Sequence, residues 1–410
     1  MLQCINKFEP RAVVSAKQKH IATFVALSTL ASCASFDRPD NLAPISATGG
    51  YQAQYRTPDV TRSNASFLRS ETLNQQNCRA PLGGDSGKGI GVFASVLQGE
   101  QLSRNDLLDI RVGEDETFNG PYVISRDGAL KLPFLNPIRA QGQSTSQIED
   151  SIAQQLVADE FYTERPRISV RVTDFASVMV GVSGAVFEPH SVEIGGTQGD
   201  QIDARRQEAL GASTEARNLS AALRAAGGVR PDADLSAVEL RRGGRLFKLD
   251  LRGVLEGRNP VDIMLLTGDD IIVPSRDCFQ DDIMRPSPIS PTGVSLFLSN
   301  LTQPASSNAS SAVGREVREV PYGTRYMQAV IDTNCVGGPR STSANRSAVL
   351  FSRNPVTGVS IVIERNIEDL LRRADRDDFD PYLLPGDALA CYDSTVTNIA
   401  EIARIFGLGG

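Results

Sequence analysis

The chain has 410 residues, 40% of them hydrophobic, with 35 Gly, 22 Pro and no Trp. That length suggests roughly two to four domains with ordinary apolar cores. A net charge of -7 with no basic stripe argues against nucleic acid as a partner, because neutralising phosphates takes clustered Lys and Arg. The chain has two His and no Cys-x-x-Cys, which leaves a zinc site without ligands, and no cofactor is expected.

Arg11, Lys17 and Lys19 precede an apolar run from Ile21 to Leu30. The run suits a signal-peptide core and is too short to span a bilayer. It ends in Leu30-Ala31-Ser32-Cys33, small residues before a cysteine, which is similar to the lipobox of bacterial lipoproteins. That resemblance makes 1–32 a signal peptide and Cys33 the acylated first residue of the mature chain. Ala34, rather than Asp, favours the outer membrane over the inner. Residues 33–90, rich in Ser, Asn, Gln, Gly and Pro, read as an extended leader.

A first folded unit is expected over 91–173. LLDIRV alternates as a half-buried strand should, and Asp127-Gly128 marks a hairpin turn. STSQIEDSIAQQLVADEF predicts a helix capped by Ser146 with Glu149 three residues on. Its face would carry Ile148, Ile152, Leu156 and Val157. RISVRVTDF returns to strand alternation.

A second unit spans 174–275. It opens with VMVGVSGAVFEP, strand-like with Gly kinks, followed by a polar loop at about 195–216. A helix then starts at Asn218 or Ser220 and stops at Gly227-Gly228. AVELRR and RLFKLDL are short strands, Leu251 to Leu255 a helical turn, and LLTGDDIIVPS closes the unit. Residues 276–316 read as a linker with one apolar, strand-like island, VSLFL. Over 317–393 the order recurs, from TRYMQAVIDTNCVGG through SAVLFSRN, VSIVIERNI and IEDLLRRA to LLPGDALACYD. This is an internal duplication of roughly 100 residues.

Residues 394–410 carry VTNIAEIARIF, capped by Asp393 or Ser394. Val396, Ile399, Ile402, Ala403 and Phe406 share one helical face, with Thr397, Glu401 and Arg404 on another. About 14 helical residues reach roughly 21 Å, short of the ~30 Å hydrocarbon core.

Three turns share one chemistry: Asn105-Asp106, Gly268-Asp269 and Gly386-Asp387 each lead into alternating apolar residues. Gly, or Asn in the first case, supplies a positive φ, and the Asp accepts hydrogen bonds from nearby backbone N–H groups. The aspartates are read as turn devices, not as catalytic or metal carboxylates. Of the six Cys, Cys4 lies in the removed segment and Cys33 would carry lipid. Cys78, Cys278, Cys335 and Cys391 remain for an oxidising compartment and allow three pairings. The pairing chosen is Cys335–Cys391 within one repeat and Cys78–Cys278 between segments, with buried free thiols as the alternative.

No enzyme is expected. GGDSGKG lacks the first Gly of a phosphate-binding loop, and its Ser86 has no upstream His outside the signal segment. The acidic run Asp375 to Pro381 fails calcium-loop spacing and reads as a solvated turn.

The lipobox, Asn105-Asp106-x-Leu108-x-Ile110-x-Val112, Gly184-x-Val186-x-x-Pro189, and Ala226-Gly227-Gly228 with Thr267-Gly268-Asp269-x-Ile271-x-Val273-Pro274 carry a family resemblance. Over about 90 to 393 the chain resembles the Wza-like outer-membrane polysaccharide export lipoproteins, departing where Arg104-Asn105 replaces the usual Pro-Gly. The resemblance implies an α+β fold: a polysaccharide export sequence domain, then two β-grasp-like SLBB domains and a short C-terminal helix. It also implies a homo-oligomeric ring that passively conducts capsular polysaccharide or exopolysaccharide, with an inner-membrane polysaccharide co-polymerase as partner. The short C-terminal helix adds the expectation of a separate outer-membrane β-barrel. The alternative is an outer-membrane lipoprotein that binds a soluble glycan or scaffolds an envelope complex.

Overall fold

The computed structural model describes residues 50–58, 70–84, 97, 99–113, 115–195, 215–258, 262–300, 317–333, 346–373 and 375–392. The signal peptide, Cys33, Cys335, most of the polar loop and the stretch 394–410 lie outside the described residues. The fold is α+β, with three separate main sheets.

A short helix, α1 (Ser70–Gln75), precedes the first sheet. That sheet holds β1 (Leu107–Val112), β2 (Asp115–Val123) and β5 (Ile168–Asp174), antiparallel in the order β2–β1–β5. Along β1 the alternation buries Leu108, Ile110 and Val112 and leaves Arg111 exposed. Asp127-Gly128 forms a turn but does not join two paired strands as expected: β2 pairs with β1, and β3 (Ala129–Leu130) pairs with β4 (Ile138–Arg139). Helix α2 (Thr145–Ala158) covers the sheet through Ile148, Ile152, Ala153 and Leu156.

Two expectations for α2 need correction. The cap is Ser144, not Ser146: Ser144 and Gln147 form a reciprocal capping box. Glu149 is thereby left to accept from the Val170 N–H at 2.8 Å, which pins α2 to β5. Val157 is exposed, because it falls off the arc centred on Ile148, Ile152 and Leu156; Ala153 packs in its place.

The next two sheets are copies of each other. The first contains β6 (Val178–Gly184), β7 (His190–Ile194), β8 (Val238–Arg242), β9 (Arg245–Leu249) and β10 (Asp270–Val273) in the order β7–β6–β10–β8–β9. Helices α3 (Leu219–Ala225) and α4 (Arg252–Leu255) belong to it. The second contains β11 (Val294–Asn300), β12 (Val317–Val320), β13 (Ser347–Arg353), β14 (Ser360–Asn366) and β15 (Ala388–Tyr392) in the order β12–β11–β15–β13–β14. Its helices are α5 (Tyr326–Asp332) and α6 (Ile367–Arg372). Each sheet has one parallel pair, β6 with β10 and β11 with β15, and is otherwise antiparallel.

The VSLFL island is therefore not linker. It lies in β11, hydrogen-bonded between β12 and β15, so the second copy begins near Val294 and not at 317. A short apolar run flanked by Pro and Ser has no local mark of its pairing partner.

The leader is not extended where it is described. A 3-10 turn at Ala53–Tyr55 buries Tyr55 in the core of the third sheet. Arg365 donates to the carbonyls of Gln54 and Arg56 at 3.0 and 2.9 Å, and Gln52 exchanges two hydrogen bonds with the backbone of Tyr382. Polar side chains dock this strap, so its sequence has no apolar period. The Leu82 and Gly83 N–H groups, at the start of GGDSGKG, dock on Asp234 and Ser236.

The acidic run is not simply solvated either. Asp380 is buried and accepts from the Met327 N–H in the first turn of α5, at 2.8 Å. Asp262 does the same for Ser220 in α3, at 3.2 Å. Both helices are thus capped by a carboxylate from a distant loop, while their own N-cap residues Asn218 and Arg325 make no side-chain cap bond.

Candidate functional site

Two of the three aspartate turns meet at the joint between the first and second units, and the third lies beside the N-terminal strap. In each, the residue before the Asp has positive φ: Asn105 at 68°, Gly268 at 90° and Gly386 at 88°. Each Asp side chain reaches back three residues. Asp106 accepts from the Ser103 N–H at 2.7 Å, Asp269 from Leu266 at 2.8 Å and Asp387 from Leu384 at 2.9 Å. The Asp N–H in turn bonds the carbonyl of that same residue, closing a reciprocal turn. All three carboxylates are buried.

The partners of these carboxylates differ. Asp106 pairs with Arg217 of the second unit at 2.8 Å, with both side chains buried. The Arg217 guanidinium also donates to the carbonyls of Leu265 and Gln101 and lies over the Phe175 ring. Burial raises the Asp106 carboxyl, and Arg217 opposes that rise. Asp269 is gripped by Arg242, whose Nε and Nη2 take one carboxylate oxygen each at 3.0 and 2.6 Å. Arg242 also donates to the Gln101 side chain at 2.7 Å. The first two turns touch directly, since the Thr267 N–H donates to Ser103 Oγ at 3.2 Å. Asp106, Arg217, Gln101, Arg242 and Asp269 thus form one polar knot between the first and second units.

Asp387 has no such arginine. Strand register makes the comparison: Ile271 faces Leu240 as Leu389 faces Leu350, so Arg242 corresponds to Ser352. The Ser352 hydroxyl bonds Asp387 and sits 3.2 Å from the Tyr55 hydroxyl of the strap. Burial pushes the Asp387 carboxyl up to about 7.

Arg230 joins the second and third units, donating to the Pro355 carbonyl at 3.3 Å while it holds Asp232. It binds Asp232 with two bonds of 2.9 and 2.8 Å, and Tyr51 and Ser275 donate their hydroxyls to that carboxylate at 2.8 and 2.6 Å. Beside this joint lies an open, polar groove of about 760 Å³, lined by Phe187, Glu188, Arg224 and Arg353 among others. Cys78 and Cys278 are disulfide-bonded, with Cα atoms 4.8 Å apart. Cys391 is buried and also disulfide-bonded. His190 opens β7, exposed, with Nδ1 2.6 Å from the Glu188 carbonyl. Among the described residues no group of three or more His, Cys, Asp or Glu could hold a metal, and no helix is long and apolar enough to cross a membrane.

Sequence reasoning located the aspartates but not Arg217, Arg242 or Ser352. Arg242 could have been found by aligning the repeats, because AVELRR and SAVLFSRN differ at that position. Arg217 sits beside the polar loop and has no local signal.

Residues 95–173 match the family model for polysaccharide biosynthesis/export protein. Over 184 residues the chain is 27% identical to the EPS I polysaccharide export outer membrane protein EpsA of Ralstonia nicotianae. That match covers 43% of this chain and 43% of the relative, so the two correspond over less than half of their lengths. The stretch that resembles the polysaccharide biosynthesis/export family is the first unit, with its α2-covered sheet and its Asp106 turn.

Proposed function

We propose that the chain is a subunit of an outer-membrane-anchored periplasmic ring that passes capsular polysaccharide or exopolysaccharide across the envelope without a chemical step. The family match at 95–173 carries this reading. The polar knots support it, because a conduit of repeated subunits needs each subunit's domains held at fixed angles. Head-to-tail contacts between identical subunits close into a ring when the rotation closes. Cys33 would carry the lipid anchor, an inner-membrane polysaccharide co-polymerase would feed the ring, and a separate outer-membrane β-barrel would complete the path.

The groove beside Glu188, Arg224 and Arg353 favours one other reading, a lipoprotein that binds a soluble glycan. A deletion strain separates the two. Surface polysaccharide should fall and polymer inside the envelope should rise; the intact gene should restore the balance and a Cys33→Ser version should not. Unchanged surface polymer, in a strain with no second exporter, would reject export and leave glycan binding. A single-subunit mass for the purified full-length protein in detergent would reject the ring.

A further inference from the structure

We propose that the outer face of the third sheet is the docking site of the chain's own C-terminal segment, residues 393–410. The proposal rests on a comparison of the two copies at matched strand positions. On the inner face both sheets are apolar: Ala348, Leu350, Ile363 and Leu389 lie in one core, and Val238, Leu240, Leu249 and Ile271 in the other. Side chains alternate along a strand, so the residues between these point to the opposite face. There the copies part.

In the first copy that face carries Glu239 and Arg241 on β8, Lys248 on β9 and Asp270 on β10, beside Leu246 and Ile272. Register places Val349 where Glu239 stands, Phe351 where Arg241 stands, and Ala388 where Asp270 stands. Val362 stands where the first copy has Leu246, apolar in both; Glu364, at the position of Lys248, and Arg353, two residues beyond Phe351, keep charge on this face. Three charged positions of the first copy's face have become apolar in the second.

The exposures show a face partly covered. Val349 is 1% and Ala390 8% exposed, yet Val349 and Ala390 lie outside the core cluster of the inner face. Phe351, in the same row, is 37% exposed.

The occupant follows from where the chain goes next. β15 pairs with both β11 and β13, so the chain leaves this sheet at Tyr392, at the margin of the apolar face. The 18 residues that follow hold an apolar stripe of Val396, Ile399, Ile402 and Phe406, with Glu401 and Arg404 off it. About 14 helical residues reach roughly 21 Å. Five strands at ~4.8 Å spacing span roughly 19 Å, so the segment matches the width of the sheet. In this arrangement the stripe of 393–410 packs against the chain's own third sheet. The inference stands whether or not the chain exports polysaccharide.

The test uses the full chain in detergent. A Phe351→Cys, Ile402→Cys pair, mildly oxidised, should give an intramolecular cross-linked peptide in mass spectrometry. Independently, Ile399→Asp with Ile402→Asp should speed amide exchange in β13 and β14 on the order of tenfold while leaving β6 to β10 unchanged. A cross-link only between two chains would overturn the proposal and make the face an interface between copies. Unchanged exchange in detergent, with C-terminal protection gained only in phospholipid vesicles, would overturn it in favour of membrane insertion.

Discussion

At Asp387 the fold keeps a buried carboxylate without a cation. Asp106 and Asp269 occupy the same turn and face Arg217 and Arg242, whereas Asp387 faces Ser352. Burial raises the Asp387 carboxyl from 3.8 to about 7 and the Asp380 carboxyl from 3.8 to about 6. Both shifts are upward, so the folded state holds these protons more tightly than the unfolded chain does. Their contribution to stability is full below pH ~4 and is lost as pH rises through the folded values. Thermal unfolding of the full chain should therefore show a third unit that melts lower at pH 8 than at pH 5. Asp387→Asn should flatten that slope; an unchanged slope would refute the assignment. The opposite chemistry applies at the first joint. Arg217→Met would leave Asp106 buried without its partner and should cost about 3–5 kcal/mol, read from denaturant midpoints.

At the scale of elements, the positive-φ positions separate conformational cost from steric cost. A Cβ at Gly268 would meet nothing within 4 Å, so Gly268→Ala should cost only the left-handed strain of about 1–2 kcal/mol. A Cβ at Gly228 would lie 2.3 Å from the Pro291 nitrogen. Gly228→Ala should therefore cost more than Gly268→Ala and loosen the joint between the copies, seen as faster exchange at Val229. The helix caps give a second element-level prediction. Asp262→Ala and Asp380→Ala should each cost about 1 kcal/mol by removing a cap from α3 or α5, measured by chemical denaturation. Their equal role in both copies is the clearest sign that the duplication extends to loops as well as strands.

Over the whole molecule, the units are joined by polar contacts in which each charged group has a named partner. The N-terminal strap spans the second and third units: Tyr51 reaches Asp232 while Tyr55 enters the core of the third sheet. The Cys78–Cys278 bond closes a separation of 200 residues. In the chain-entropy account a loop that long gives about 5 kcal/mol, and the usual measured range is ~2–4. Cys78→Ser with Cys278→Ser should lower the unfolding midpoint by an amount in that range. It should also raise protease cleavage in the strap before the sheets unfold.

Several features are local enough to read directly from residues. Strand β1 declares itself through LLDIRV, because alternation depends only on the chain's own period. The three turns declare themselves because positive φ restricts residue choice to Gly or Asn. The duplication is visible from helix, Gly-Gly, paired strands and Gly-Asp in the same order. Other features exist only once distant segments meet. VSLFL became a central strand because β15 and β12 pair with it, and no residue within it marks that. Glu149 pins α2 to β5 because Val170 meets it across the fold, while the Ser144–Gln147 box was local. The polar leader became a docked strap because carbonyls of Gln54 and Arg56 face Arg365 across the fold. Sequence by itself determined the local elements and their repetition, through side-chain period and backbone conformation. Tertiary structure alone decided which buried carboxylate received an arginine, since hydrogen bonds and ion pairs between remote segments leave no periodic trace.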